Sequence, residues 1–173
     1  MKNLKILILI FFLKAFFINF VIGQETKFIS IYLYNFTKYI EWKNDAYKQN
    51  DFVIGIFGHS DISKKLSDVI KGQTVGSQKI IVKNFKSFSD IEKTHILFIA
   101  DWKSEEFDNV LSKIKDNNTL VVTNKEGMLN KGAAINFVRE GELIKFEIST
   151  KNAEARNMNI SNNLIAMACK SDK

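Results

Sequence analysis

The stretch His95-Ile96-Leu97-Phe98-Ile99-Ala100 decides how this chain folds. Four large apolar residues in a row leave no face for water, so the segment reads as a strand buried on both sides of a sheet. Downstream, Ser104 to Lys115 changes period. Phe107, Val110, Leu111 and Ile114 fall on one face of a helix, and Ser104 stands where a hydroxyl can cap its start. Thr119 to Thr123 is a second short buried strand. Upstream, Phe52 to Phe57 reads as a buried strand ending at Gly58, and Lys79 to Val82 as another. Between them Asp61 to Ile70 carries Ile62, Leu66, Val69 and Ile70 at helical spacing. Strand and helix therefore alternate, which points to an α/β fold.

The last third changes character. Ala133 to Val138 and Leu143 to Ile148 read as strands joined by Arg139-Glu140-Gly141-Glu142, with Gly141 supplying the backbone freedom of a tight hairpin. Ile144, Phe146 and Ile148 alternate with Lys145 and Glu147, as in a strand with one wet face. Two short helices follow, near 150–156 and 160–168, with Asn157 able to close the first in a left-handed conformation. The whole is expected to be a mixed sheet of about six strands flanked by helices on both faces.

The opening helix is the most informative about surface. It is expected from about Glu25 to Trp42, with Phe28, Ile29, Tyr32, Leu33, Phe36, Tyr39 and Ile40 on a broad core-facing arc. Lys27, Ser30, Thr37, Lys38 and Glu41 take the opposite side. Ile31 and Tyr34 lie among those polar residues, and Trp42 sits where the helix ends. Aromatic and branched residues on an otherwise polar side suit a protein interface, so Ile31, Tyr34 and Trp42 are the candidate partner-binding residues. Burial by neighbouring elements is the alternative for all three.

The N-terminus reads as an export signal. Lys2 and Lys5 precede the apolar run Ile6 to Leu13; Lys14 interrupts it, and Ala15 to Ile22 continues it to the small residue Gly23. The run is short and broken for a spanning helix, which needs about 20 apolar residues. Residues 1–23 are therefore expected to be a cleaved signal peptide, and 24–173 one exported domain of roughly 150 residues, enough for a real core. No cysteine follows the run to carry a lipid. The chain is formally +6, falling to about +3 without the signal lysines, too mild to point to nucleic acid. The only cysteine, Cys169, has no intrachain partner; it is expected to be a small residue on the terminal helix, with a disulfide-linked dimer as the alternative.

Catalytic patterns do not assemble. His59 lies in Gly58-His59-Ser60-Asp61, just past a strand, where α/β domains place functional loops. Three contiguous residues do not converge as a triad does, so this loop is expected to turn the chain and cap the next helix. His95, the other histidine, is expected to be a satisfied residue at a strand boundary. Two histidines and one cysteine leave no metal set at suitable spacing, and Gly55-x-x-Gly58 and Gly72-x-x-x-Gly76 lack the phosphate-binding patterns. No cofactor, metal or enzymatic activity is expected.

The segment Ser30-Ile31-Tyr32-Leu33-Tyr34-Asn35-Phe36-Thr37-Lys38-Tyr39-Ile40-Glu41-Trp42 resembles the opening of the YfiR family of exported regulators, also called HmsC-like. The likeness continues in Gly72-Gln73-Thr74-Val75, in Thr94 to Ile99, in Gly132 to Val138, in Phe146-Glu147-Ile148, and in Ile160-Ser161 before Leu164. The resemblance implies a periplasmic inhibitor. It would bind the extracytoplasmic domain of a membrane-bound diguanylate cyclase, be sequestered in turn by an outer-membrane lipoprotein, and form a homodimer. Cyclic di-GMP and biofilm formation would be the output. Three departures stand out: Lys43 where the family usually has proline, Ala133 and Ala134 after a single Gly132, and Thr94 where cysteine is frequent. Control through an internal disulfide is accordingly not expected. The alternatives are a regulator of another membrane sensor such as a histidine kinase, a small-ligand sensor with its cavity near His59 and Asp61, and an unrecognised hydrolase.

Overall fold

The computed structural model describes residues 23–44 and 47–172. The expected signal segment therefore lies outside the described residues, apart from Gly23. An eight-stranded sheet organises the chain. Its inner strands are β2 (Phe52–Phe57), β4 (Gln78–Phe85), β5 (Ile96–Ile99), β6 (Leu120–Thr123), β7 (Ile135–Glu140) and β8 (Leu143–Ser149), flanked by β3 (Thr74–Val75) and β10 (Lys170–Asp172) in the order β10-β8-β7-β6-β5-β2-β4-β3. The inner six are those the sequence marks out; the two short edge strands bring the sheet to eight. β2, β4, β5, β6 and β7 run parallel. β8 returns antiparallel through a two-residue turn at Gly141 (φ 61°) and Glu142.

Alternation along each central strand divides the core into two layers. Ile54, Ile56, Ile96, Phe98, Leu120 and Val122 face one side; Phe57, Leu97, Ile99 and Val121 face the other. The first layer is covered by a helix over residues 23–39 (α1), by α2 (Ser60–Val69), and by Ala153 and Leu164 from α4 (Thr150–Glu154) and α5 (Asn162–Met167). The second is covered by Phe107, Val110 and Ile114 of α3 (Phe107–Lys113) and its C-terminal turn. Helices thus lie on both faces, as the strand–helix alternation implies.

Several local expectations are corrected. The opening helix ends at Tyr39, because Ile40–Trp42 forms a strand, β1, antiparallel to β9 (Met158–Ile160). Three residues cannot distinguish a continuing helical stripe from an alternating strand, and here the distant partner decides. Ser104 does not cap a helix. It lies inside a 3₁₀ segment, Asp101–Glu106, that begins directly after β5, where Asp101 Oδ1 takes the Trp102 amide at 2.8 Å. Ser30 and Thr37, assigned to a wet face, are buried. Ser30 Oγ donates to the carbonyls of Thr26 (2.7 Å) and, on α2, Ile62 (3.3 Å), so α2 covers this flank of α1. Cys169 lies past α5, not on it, and is exposed. Asn157 does take the left-handed conformation, with φ 58°.

Candidate functional site

The three candidate interface residues fall into two environments. Ile31 and Tyr34 sit one turn apart on α1 and are both half-buried. Tyr34 packs against the core, donates its phenol proton to Gln73 Oε1 at 2.5 Å, and carries the Lys38 ammonium 4.2 Å from its ring centre. It is therefore a held, partly open aromatic, not a free surface side chain. Trp42 is different: it is only 6% exposed, and its indole Nε1 donates to the Asn118 carbonyl at 3.0 Å. Its strand turns it inward onto Phe52, whose ring it meets edge-on at 5.0 Å. The expectation of an open Trp42 at a helix end is thus corrected. The residue that would terminate a helix on the surface becomes, in a strand, one of its two inward positions.

An exposed tryptophan exists elsewhere. Trp102 is 62% exposed, at the C-terminal end of β5, and its ring passes over Gly58, where a Cβ would lie 3.1 Å from the indole. Lys103 packs beneath, 4.9 Å from the Trp102 ring and 4.7 Å from that of Phe57, and is tied to Glu106 at 2.5 Å. Asn124 Oδ1 accepts the Asp101 amide at 2.8 Å and fixes the turn. A rigidly mounted, exposed aromatic is the kind of side chain that anchors interfaces. The sequence carries a signal for it: a tryptophan in the polar run Asp101-Trp102-Lys103-Ser104-Glu105-Glu106, immediately after a buried strand. Position 102 also lies at the carboxyl edge where the sheet order reverses between β2 and β5.

His59 caps α2, its Nδ1 accepting the Ile62 amide at 3.4 Å, in agreement with a turn-and-cap role for its loop. Asp61 pairs with Lys64 at 3.6 Å on the open surface. An apolar cavity of about 230 Å³ lies at the opposite edge of the sheet from His59 and Asp61. Trp42, Tyr47, Phe52 and His95 form its aromatic wall, with Glu41 and Gln78 also lining it. His95 is a satisfied boundary residue: Nδ1 accepts the Val53 amide at 2.9 Å, and Nε2 lies 2.8 Å from the Tyr47 carbonyl. Burial holds its imidazole below the ordinary range, Lys93 adding to the effect and the Tyr47 carbonyl opposing it. Burial likewise pushes the Tyr47 phenol up, against the Asn118 amide that it accepts at 2.8 Å. Among the described residues no group of three or more His, Cys, Asp and Glu could hold a metal ion, and no helix is long and apolar enough to cross a membrane.

No curated protein matches the chain. Among solved structures it is similar to the ABC domain from Streptococcus pneumonia crystallised in complex with L-Trp, at 14% identity and a TM-score of 0.50 over 69% of this chain and 55% of that one. It is also similar to a conserved domain protein from Vibrio cholerae O1 biovar El Tor, at 12% identity and a TM-score of 0.49 over 70% of this chain and 55% of the other. The chain thus spans little more than half the length of either, and what the first of them shares is the fold. The family model described as YfiR/HmsC-like matches residues 27–169, from the body of α1 through the end of α5 and including the 94–99 and 132–138 segments, and the chain belongs to the YfiR/HmsC-like family.

Proposed function

We propose that this protein is a periplasmic regulatory binding protein that holds a membrane-bound diguanylate cyclase inactive by contact with the cyclase's extracytoplasmic domain. Membership of the YfiR/HmsC-like family, a family of periplasmic regulators, over residues 27–169 is the observation that carries this reading. The half-open pair Ile31 and Tyr34 on α1 and the exposed Trp102 supply side chains suited to such contact. Trp42 would support the surface from within, by fixing the end of α1. An outer-membrane lipoprotein that sequesters the regulator, and a homodimer as its working form, belong to the same reading, as does export with removal of residues 1–23. Affinity purification from envelope extracts, paired with cyclic di-GMP measurement in a deletion strain, tests it. A co-purified cyclase and a rise in cyclic di-GMP on deletion are the expected results. A different membrane sensor in the eluate with unchanged cyclic di-GMP would redirect the proposal to that sensor, and no membrane partner would end it.

A second reading is favoured by the cavity of about 230 Å³ walled by Trp42, Tyr47, Phe52 and His95: a sensor for a small apolar or aromatic molecule. Mass spectrometry of the purified protein distinguishes it, since a retained metabolite without a protein partner is its signature.

A further inference from the structure

The bonds around His95 define one protonation state. Its ring is 7% exposed, stacked on Phe52 at 4.3 Å and met edge-on by Tyr47 at 5.0 Å. The Val53 amide is a donor, so Nδ1 at 2.9 Å must present a lone pair; the Tyr47 carbonyl is an acceptor, so Nε2 at 2.8 Å must carry the proton. Main-chain bonds close the rest: the His95 amide donates to the Val53 carbonyl at 2.9 Å and the Leu120 amide to the His95 carbonyl at 2.8 Å. A second proton on the ring would set two N–H groups against each other across 2.9 Å and strip Val53 of its acceptor.

What that bond holds in place is specific. The Tyr47 carbonyl also accepts Gln78 Nε2 at 2.7 Å, and the Tyr47 phenol oxygen accepts the Asn118 amide at 2.8 Å. Asn118 in turn takes the Trp42 indole proton at 3.0 Å. Tyr47 is thereby the clasp between the segment before β2 and the heads of β5 and β6, and His95 is the titratable member of the clasp. Among the described residues no carboxylate forms an ion pair with His95, and Lys93 opposes an imidazolium. Lys93 lies 4.2 Å from the Tyr47 ring centre, the Arg156 guanidinium faces the Tyr47 phenol, and Lys48 and Glu41 stand at the cavity.

We propose that neutral His95 is a proton-operated latch, which keeps Tyr47 and the head of β2 clasped at neutral pH and releases them on acidification, opening the aromatic cavity. The occupant of the cavity does not enter this inference, so its failure and the failure of the regulator reading are separable.

Amide exchange by NMR on the purified protein between pH 7.5 and 4.5 tests the latch, with His95 followed by its ring resonances. Protection of the Val53 and Asn118 amides is expected to fall at least tenfold with the midpoint of the His95 titration, while that of Phe98 on β5 holds. His95→Gln, which can offer an acceptor and a donor without titrating, is expected to keep Val53 and Asn118 protected at the acid end. Undiminished Val53 protection through the His95 titration overturns the proposal. So does simultaneous loss at Val53, Asn118 and Phe98, which is global unfolding, or an unaltered acid loss in a folded His95→Gln protein. Should that variant fail to fold, the wild-type comparison decides alone.

Discussion

Tyr34 and Leu33 are neighbours in sequence with opposite duties. Leu33 is sealed in the core, whereas Tyr34 keeps part of its ring open and its phenol bound to Gln73. Leu33→Ala is expected to cost about 2–5 kcal/mol of folding stability. Tyr34→Ala should cost about 1–2 kcal/mol, since it loses partial packing and one exposed hydrogen bond. If the Tyr34 side of α1 meets the partner, the same change should weaken association about thirtyfold; paired melts and binding constants separate the two effects. Gly55 presents the opposite problem. A Cβ there would lie 2.6 Å from Phe85 Cε2, 2.8 Å from Thr94 Cγ2 and 3.1 Å from Leu97 Cδ1. Gly55→Ala should therefore destabilise by about 1–3 kcal/mol in a denaturant melt, although alanine is otherwise the better strand residue. Neither the half-open ring nor the crowded glycine can be read from composition, because each depends on residues at least 30 positions away.

At the scale of elements, the short edge strand β10 acts through its last residue. Asp172 Oδ1 accepts the Thr150 amide at 2.6 Å and Oδ2 the Ser149 hydroxyl at 2.5 Å, while Ser149 Oγ accepts the Asn152 amide at 3.2 Å. The carboxylate thus ties β10 to the start of α4 and holds its N-cap serine in place. Asp172→Ala should lower stability by about 1–2 kcal/mol, and hydrogen exchange should show α4 and the β8–β10 pairing loosening together while β5 stays protected. Such a tie has no local signature: three residues carry no usable period, and the capping group lies 22 positions beyond the residue it caps. The same reasoning explains why β1, β3 and β9 are not legible in sequence although the six inner strands are.

For the whole molecule, acid is the informative perturbation. The folded state holds the His95 imidazole below its ordinary value, so over that interval the unfolded chain binds a proton that the folded chain refuses. Stability from this group is complete above the ordinary histidine range near pH 6.5. It is lost as pH falls, at up to about 1.4 kcal/mol per pH unit, until the depressed folded value is passed. Melts of wild type and His95→Gln from pH 7.5 to 5 should show a steeper acid decline for wild type; parallel slopes would remove His95 from the account.

Sequence alone determined the six central strands, the alternation with helices on both faces, the hairpin at Gly141, the left-handed Asn157 and the family resemblance. The first four are written in local periodicity or in a residue with a special backbone preference, so a window of a few residues suffices; the resemblance rests on residue blocks spread from Ser30 to Leu164. The candidate site was legible only in part. Ile31 and Tyr34 lie on α1 as expected but are half-buried, Ser30 is buried against α2, and Trp42 is turned inward by the strand that pairs with β9. Tertiary structure alone turned Ile40–Trp42 from helix to strand, mounted Trp102 in the open over Gly58, and gathered Trp42, Tyr47, Phe52, His95 and Asn118 at one edge of the sheet. The physical reason is common to all of these: strand pairing and burial are settled by partners distant in sequence, and a local pattern cannot name its partner.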